Sequence, residues 1–204
     1  MKKDLKTSPT LLNAIKYYCR SSMEHGRCSN LPYHNWDHTK DVVSNCLFIG
    51  RNLALNMNEM EELIIAAYFH DLGQMKTSIG HEALSSYYAG VFLNQYHYDE
   101  NSIRAIQAII AATKMPQCPH TKLQDIICDA DLAHLGQPIF FEKNKQLRAE
   151  IEILHQKRYE DTKWAEMNIK FLRGHEFHTA FAREYFGPQK IKNLEALERV
   201  VADS

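Results

Sequence analysis

Two short stretches carry the residues best suited to chemistry. In Tyr33-His34-Asn35-Trp36-Asp37-His38 two imidazoles stand four residues apart, and in Ala67-Tyr68-Phe69-His70-Asp71-Leu72-Gly73 a His and an Asp are adjacent. Imidazole and carboxylate without thiolate suit a hard or borderline divalent ion: Mn, Mg, Fe, Co, Ni or Zn. Eleven His in 204 residues is a generous supply, so a lone His-Asp pair is equally well explained as a hydrogen-bonded residue at the edge of a core. The context favours chemistry. The apolar run from Leu63 to Phe69 leads straight into His70-Asp71, which puts both polar groups at the inner end of a buried helix. Ionisable groups there are costly without a partner, and a metal ion is a partner that satisfies both.

Helices must present these residues. The first is expected from Ser8-Pro9, with Ser8 as cap, to about Glu24, followed by a loop over 25–32 that delivers Tyr33 and His34. A second helix, with Asp37 as the expected cap, carries His38, Val42, Asn45, Ile49 and Leu53 at helical spacing. His38 therefore belongs to the buried face, and His34 lies just outside the helix. Asn58-Glu59-Met60-Glu61 reads as a capping box opening the helix that ends in His70-Asp71, where Gly73 suits a terminus or close packing. A polar connector over 74–80, a helix from Glu82 to about Gln95 and another from Glu100 to Thr113 follow, the last stopped by Met115-Pro116-Gln117-Cys118-Pro119. In the stretch Leu123 to Leu135, Asp131 falls one turn after Ile127 on the inner face. Asp129 is rotated away, as a solvated acid or a hydrogen-bond partner.

After Gly136-Gln137-Pro138 the chain turns to long polar helices. Phe140, Phe141, Leu147, Ile151 and Leu154 form the apolar face of one; Trp164–Leu172 and Thr179–Phe186 supply two more, and Pro188 precedes a last one through Val200. No period-two strand pattern occurs, so the fold class is all-α. Residues 1–136 are expected to form a metal-binding helical core and residues 137–204 a C-terminal helical extension of one domain.

Composition narrows the function classes. Twenty-four Lys and Arg balance 25 Asp and Glu, which argues against an extended nucleic-acid surface. The five Cys form no CxxC pair and are odd in number, so reduced thiols are expected rather than a zinc ribbon or a disulfide framework. No apolar stretch follows the charged N-terminus and none is long enough to span a bilayer, so a cytoplasmic protein without membrane association is expected.

The order His38, His70-Asp71, then Asp131 in Asp129-Ala130-Asp131-Leu132 resembles the H…HD…D pattern of the HD superfamily of metal-dependent phosphohydrolases. Tyr33-His34-Asn35-x-x-His38 is similar to an element shared by cyclic-nucleotide phosphodiesterases and small bacterial HD phosphohydrolases. The latter are also similar in their Asp-Ala-Asp-Leu-Ala-His-Leu-Gly segment, here 129–136. The resemblance implies an HD-type helical bundle and a divalent ion on His38, His70, Asp71 and Asp131. It also implies a general-acid role for His34 and a small phosphorylated substrate, foremost a nucleotide. Asp71, with two oxygens, is the catalytic carboxylate able to bridge to a second ion. His81 is a candidate ligand for that ion, but the helix reaching Ile109-Ile110-Ala111-Ala112-Thr113-Lys114 offers no His, where many two-metal relatives have one.

Other polar residues divide more evenly. His134, three residues past Asp131, is ambiguous, a candidate for the border of a substrate pocket, whereas His97 and His120 read as surface residues. Lys76 and Lys114 are candidate phosphate contacts that spacing alone does not establish. In Arg173-Gly174-His175-Glu176-Phe177-His178-Thr179, a phosphate-binding role for His178, Arg183 or Lys192 competes with a structural one, and the structural one is preferred. Beside the phosphohydrolase stand two rivals: a diiron oxygenase on the same scaffold, and an inactive nucleotide-binding regulator, against which an intact ligand set with His34 counts.

Overall fold

A computed structural model describes residues 9–203. Nine α-helices follow in chain order: α1 (Pro9–His25), α2 (Trp36–Asn52), α3 (Met57–Phe69), α4 (His81–Gln95), α5 (Glu100–Ala111), α6 (Lys122–Asp131), α7 (Phe140–His155), α8 (Asp161–Gly174) and α9 (Ala180–Ala202). Short 3-10 turns occupy Arg27–Asn30, Leu72–Met75 and Ala133–Gly136, and no strand occurs among the described residues. The all-α expectation holds. Ser8, the expected cap of the first helix, lies outside the described residues.

The core is built round α3. Leu63, Ile64, Ile65, Ala66, Ala67 and Phe69 are all buried, so the helix is apolar on nearly every side and must be surrounded. It is surrounded by α1, α2, α4, α5 and α6. Burial of the C-terminal half of this helix is what puts His70 and Asp71 inside the molecule.

Local chemistry corrects three expected boundaries. The α3 capping box starts at Asn56, not Asn58: Asn56 Oδ1 accepts from the N–H groups of Asn58 and Glu59, and Glu59 returns a bond to the Asn56 N–H. Likewise Asn35 and not Asp37 caps α2, its side chain accepting from the N–H groups of Asp37 and His38. The cap therefore lies between His34 and His38 and sets their relative placement. In the stretch expected to stay helical to Leu135, α6 ends at Asp131 and the chain tightens into a 3-10 turn.

The largest difference is at Pro188, which lies inside one continuous helix, α9, and does not start a new one. Proline lacks the N–H that would bond back to Glu184, so this helix needs support from outside. Both flanks supply it on the same turn. Phe186 is buried against Gly136, where any Cβ would collide with the Phe186 backbone, and Asn193 donates to the carbonyls of Leu135 at 2.9 Å and Gln137 at 3.1 Å. Asp129 anchors the start of α9. Fully buried, it accepts from the Thr179 N–H and hydroxyl and from the His178 N–H, so it is the hydrogen-bond partner of the two expected alternatives and not a solvated acid.

Candidate metal centre and adjoining cavity

His38, in the first turn of α2, His70, immediately after α3, and Asp71 are all buried and each offers a ligand atom within 4.8 Å of the others'. Asp131, at the end of α6, closes a fourth side: its Oδ1 is 3.1 Å from His38 Nε2 and 3.7 Å from His70 Nε2. Three helices distant in sequence thus converge on one point.

The hydrogen-bond pattern is that of a site made for a cation. His70 Nδ1–H donates to the Ala67 carbonyl at 2.8 Å, so a neutral ring turns the Nε2 lone pair toward Asp71 Oδ2, 3.3 Å away. Both atoms are buried, and despite their proximity neither has a hydrogen-bond partner. Lone pair facing lone pair is repulsive unless a proton or a metal ion lies between. Without a metal the proton is the remaining answer: burial alone lowers the His70 pKa, but Asp71 and Asp131 outweigh it and carry the value up to about 9. Burial raises the Asp71 pKa, but His70 first, then the His81 hydrogen bond and the His34 charge, hold it well below the usual carboxylate range. An all-nitrogen-and-oxygen donor set with orphaned buried atoms fits a divalent ion.

His81 joins this cluster from α4. Its Nδ1–H donates to the Ser78 carbonyl at 3.0 Å, and its Nε2 lies 3.1 Å from Asp71 Oδ1, the oxygen not facing His70. Gly73 makes the approach feasible, since any side chain there would run into the His81 backbone carbonyl. Asp71 therefore has one oxygen toward each of two imidazole groups. The α5 C-terminal region contributes Thr113 to the site wall and no imidazole.

His34 sits beside the cluster, its ring centre 5.8 Å from that of His38. About a quarter of its side chain stays exposed. The sequence reading missed its partner, Glu150 of α7. One Glu150 oxygen bonds His34 Nδ1 closely, and the other accepts from the backbone N–H groups of Tyr33 and His34, both at 2.9 Å. Burial lowers the His34 pKa, but the Glu150 hydrogen bond and the charges of Asp71, Glu150 and Asp131 leave it raised. With Nδ1 engaged, Nε2 is the nitrogen available to a substrate. A signal for Glu150 existed: it falls at helical spacing between Leu147 and Leu154 on the apolar face of α7, where an unpartnered carboxylate would be costly.

Tyr33 was part of the quoted motif without a role. Its ring lies against His38, with centres 4.7 Å apart, and its hydroxyl is 3.2 Å from His134 Nδ1. Burial first, then the nearby His38 charge, pushes His134 down to about 4, so it is a neutral imidazole. It lines a cavity of about 270 Å³ together with His34, Asp71, His81 and Asp131 and the apolar Met115, Leu132, Leu147 and Phe171. A wider neighbouring cavity of about 580 Å³ shares Met115, Leu132 and Phe171 and is bordered by His175 and His178.

The remaining candidates lie elsewhere. Lys76, Lys114 and Lys192 are exposed and line neither cavity. Arg183 donates to the carbonyls of Phe177 and His178, a structural use in keeping with the preferred reading, and His97 and His120 are exposed as expected.

No protein-family model and no curated protein sequence matches the chain. Solved structures do. A predicted HD superfamily hydrolase from an uncultured Thermotogales bacterium superposes with a TM-score of 0.64 at 18% identity, over 94% of this chain and 92% of that one. Bacillus subtilis YpgQ, solved in complex with ADP, gives 0.68 at 16% identity over 95% and 94%. A structural-genomics target from Lactobacillus plantarum gives 0.70 at 17% identity over 96% and 97%. Identities this low speak to fold alone, and nearly end-to-end coverage leaves little of that fold unmatched. The chain has the all-α fold of an HD superfamily hydrolase.

Proposed function

We propose that this chain is a metal-dependent phosphohydrolase acting on a small phosphoester, a nucleotide foremost. The observation that carries the reading is the pairing of a cation-demanding His38, His70, Asp71 and Asp131 cluster with a Glu150-supported His34 beside it. A binder would need the first but not the second. The hydrolase-type fold of the Thermotogales neighbour and the ADP held by YpgQ support the same direction.

In this reading His38, His70, Asp71 and Asp131 would hold one divalent ion, and Asp71 with His81 could take part in holding another. A bound ion supplies Lewis acidity toward a phosphoryl oxygen and lowers the pKa of water. The chain's own residues do the rest. Asp71 and Asp131 confine positive charge to the phosphate end of the cavity, and Tyr33 and His134 close one wall. His34 delivers a proton from Nε2 to the leaving oxygen while Glu150 holds the ring at Nδ1.

The test is metal analysis of the purified protein followed by a phosphoester panel with Mn or Mg under nitrogen. Phosphate or nucleoside monophosphate should be released, and Asp71→Ala should lose both metal and activity. Wild-type metal content in Asp71→Ala would sink the ligand assignment. Strict dependence on dioxygen would hand the site to the oxygenase chemistry that the His81 placement allows.

A further inference from the structure

The end of the 270 Å³ cavity that α7 and α8 line, with Asn144, Leu147, Asn168 and Phe171, differs in character from the part lined by the metal-ligand candidates. The described residues that line the cavity include no Lys or Arg, so this end is not equipped for the charged part of a phosphoester. Its wall is largely apolar and is interrupted by the carboxamides of Asn144 on α7 and Asn168 on α8. Asn144 is only 8% exposed, and amides in such a place need hydrogen bonds.

They have them, in an order that fixes both orientations. The Trp164 indole N–H donates to Asn144 Oδ1 at 2.7 Å, Asn144 Nδ2 donates to Asn168 Oδ1, and Asn168 Nδ2 donates to the Trp164 carbonyl at 2.7 Å. The chain of bonds begins and ends on Trp164. An indole N–H can only donate and a carbonyl can only accept, so neither amide can flip. Beyond these bonds each carboxamide keeps one N–H and one oxygen lone pair in hand. Phe171, one turn along α8 from Asn168 and 37% exposed, forms the adjacent wall.

Preset donors and acceptors beside an aromatic face are the means by which planar heterocycles are held: carboxamides pair with a base edge, and aromatic rings stack on its face. We propose that this end of the cavity is a nucleobase subsite, in which Asn144 and Asn168 read the base edge and Phe171 stacks on the ring. The proposal deepens the phosphohydrolase reading and rests on it for the position of the phosphate. The competing account is a purely structural tie between α7 and α8.

The experiment uses the full chain with Mn. Binding of adenosine, guanosine, cytidine and uridine is measured by calorimetry, and kcat/KM is measured for their 5′-monophosphates and for ribose 5-phosphate. At least one nucleoside should bind, and its nucleotide should exceed ribose 5-phosphate by roughly tenfold or more. Asn168→Asp keeps the acceptor for Asn144 but loses both donors, so it should change the order of base preference. Phe171→Ala, at a partly exposed site, should weaken nucleoside binding roughly 5- to 100-fold, the usual worth of one stacked base. Equal kcat/KM for nucleotides and ribose 5-phosphate with no nucleoside binding would overturn the subsite and leave the hydrolase standing. A folded Asn168→Asp protein with unchanged base order would also overturn it. Nucleoside binding weakened by both substitutions, in a protein that hydrolyses none of the esters, would support the subsite and overturn the hydrolase instead.

Discussion

His34 and Glu150 are joined by hydrogen bonds, and in the proposed mechanism they divide one task. Glu150 is almost fully buried and ionised, because three hydrogen bonds and the His34 charge outweigh its burial. A cation in the cluster would cancel much of what Asp71 and Asp131 do for the His34 proton, leaving Glu150 as its nearest support. His34→Asn should therefore keep metal content while lowering the rate on a natural ester by ~10²–10⁴-fold, the usual worth of a positioned proton donor. A nitrophenyl ester, whose phenol leaves readily as an anion, should lose far less. Glu150→Gln should act in a distinguishable way. It removes the carboxylate whose hydrogen bond and charge raise the His34 pKa, so the alkaline limb of the pH–rate profile should move to lower pH. Equal losses on both esters for His34→Asn, or an unmoved alkaline limb for Glu150→Gln, would remove His34 from the acid role.

The Leu72–Met75 turn meets the start of α4 through a glycine, and Gly73 offers a direct test. Gly73→Ala forces the Leu72–Met75 turn away from the start of α4, which is what brings His81 to Asp71. Overpacking of this kind costs about 1–3 kcal/mol, a Tm loss of roughly 2–12 °C for a chain of this size, and His81 should be displaced with it. Unchanged Tm and activity would mean that the turn has room to spare. At the other end, His175 lies between α8 and α9 among Phe171 and Phe177, with both ring nitrogens buried and unpartnered. Burial first, then Lys190 and His178, lower its pKa to about 4. A depressed His favours the folded state above its unfolded value of ~6.5, and that contribution drains away as pH falls toward about 4. His175→Phe loses no hydrogen bond and should flatten the fall in Tm between those two pH values; an equally steep fall would place the titration elsewhere. The helices themselves were legible because apolar spacing is local: His38, His70, Asp71 and Asp131 could be placed on inner faces from spacing alone. Glu150 and Asn144 were not, nor was the link from Asn168 to Asn144, since these partners lie 20 to 117 positions away and no periodicity records a tertiary hydrogen bond. Pro188 misled for the same reason, its helix being held by contacts to Gly136, Leu135 and Gln137.

At the scale of the whole molecule the cluster of candidate metal ligands is a junction. His38 on α2, His70 and Asp71 after α3, and Asp131 at the end of α6 come from segments that no local structure holds together, so only the folded chain can offer all four groups to one ion. A ligand that binds the folded state alone stabilises it by about 2.7 kcal/mol at a hundredfold excess over Kd. For a chain of this size that is a rise in Tm of roughly 5–11 °C. Chelation should remove the increment and Mn should restore it. Without the ion a proton between His70 and Asp71 takes its place, whereas a chain lacking the Asp71 carboxylate loses a ligand and should no longer hold the metal. Asp71→Ala should consequently melt at a temperature that chelator does not move. If the wild type, shown by metal analysis to gain and lose its ion, melts at the same temperature in both states, the cluster binds metal without holding the three helices together. A wild type whose Tm tracks metal while Asp71→Ala does not would tie the ion to the fold as well as to the chemistry.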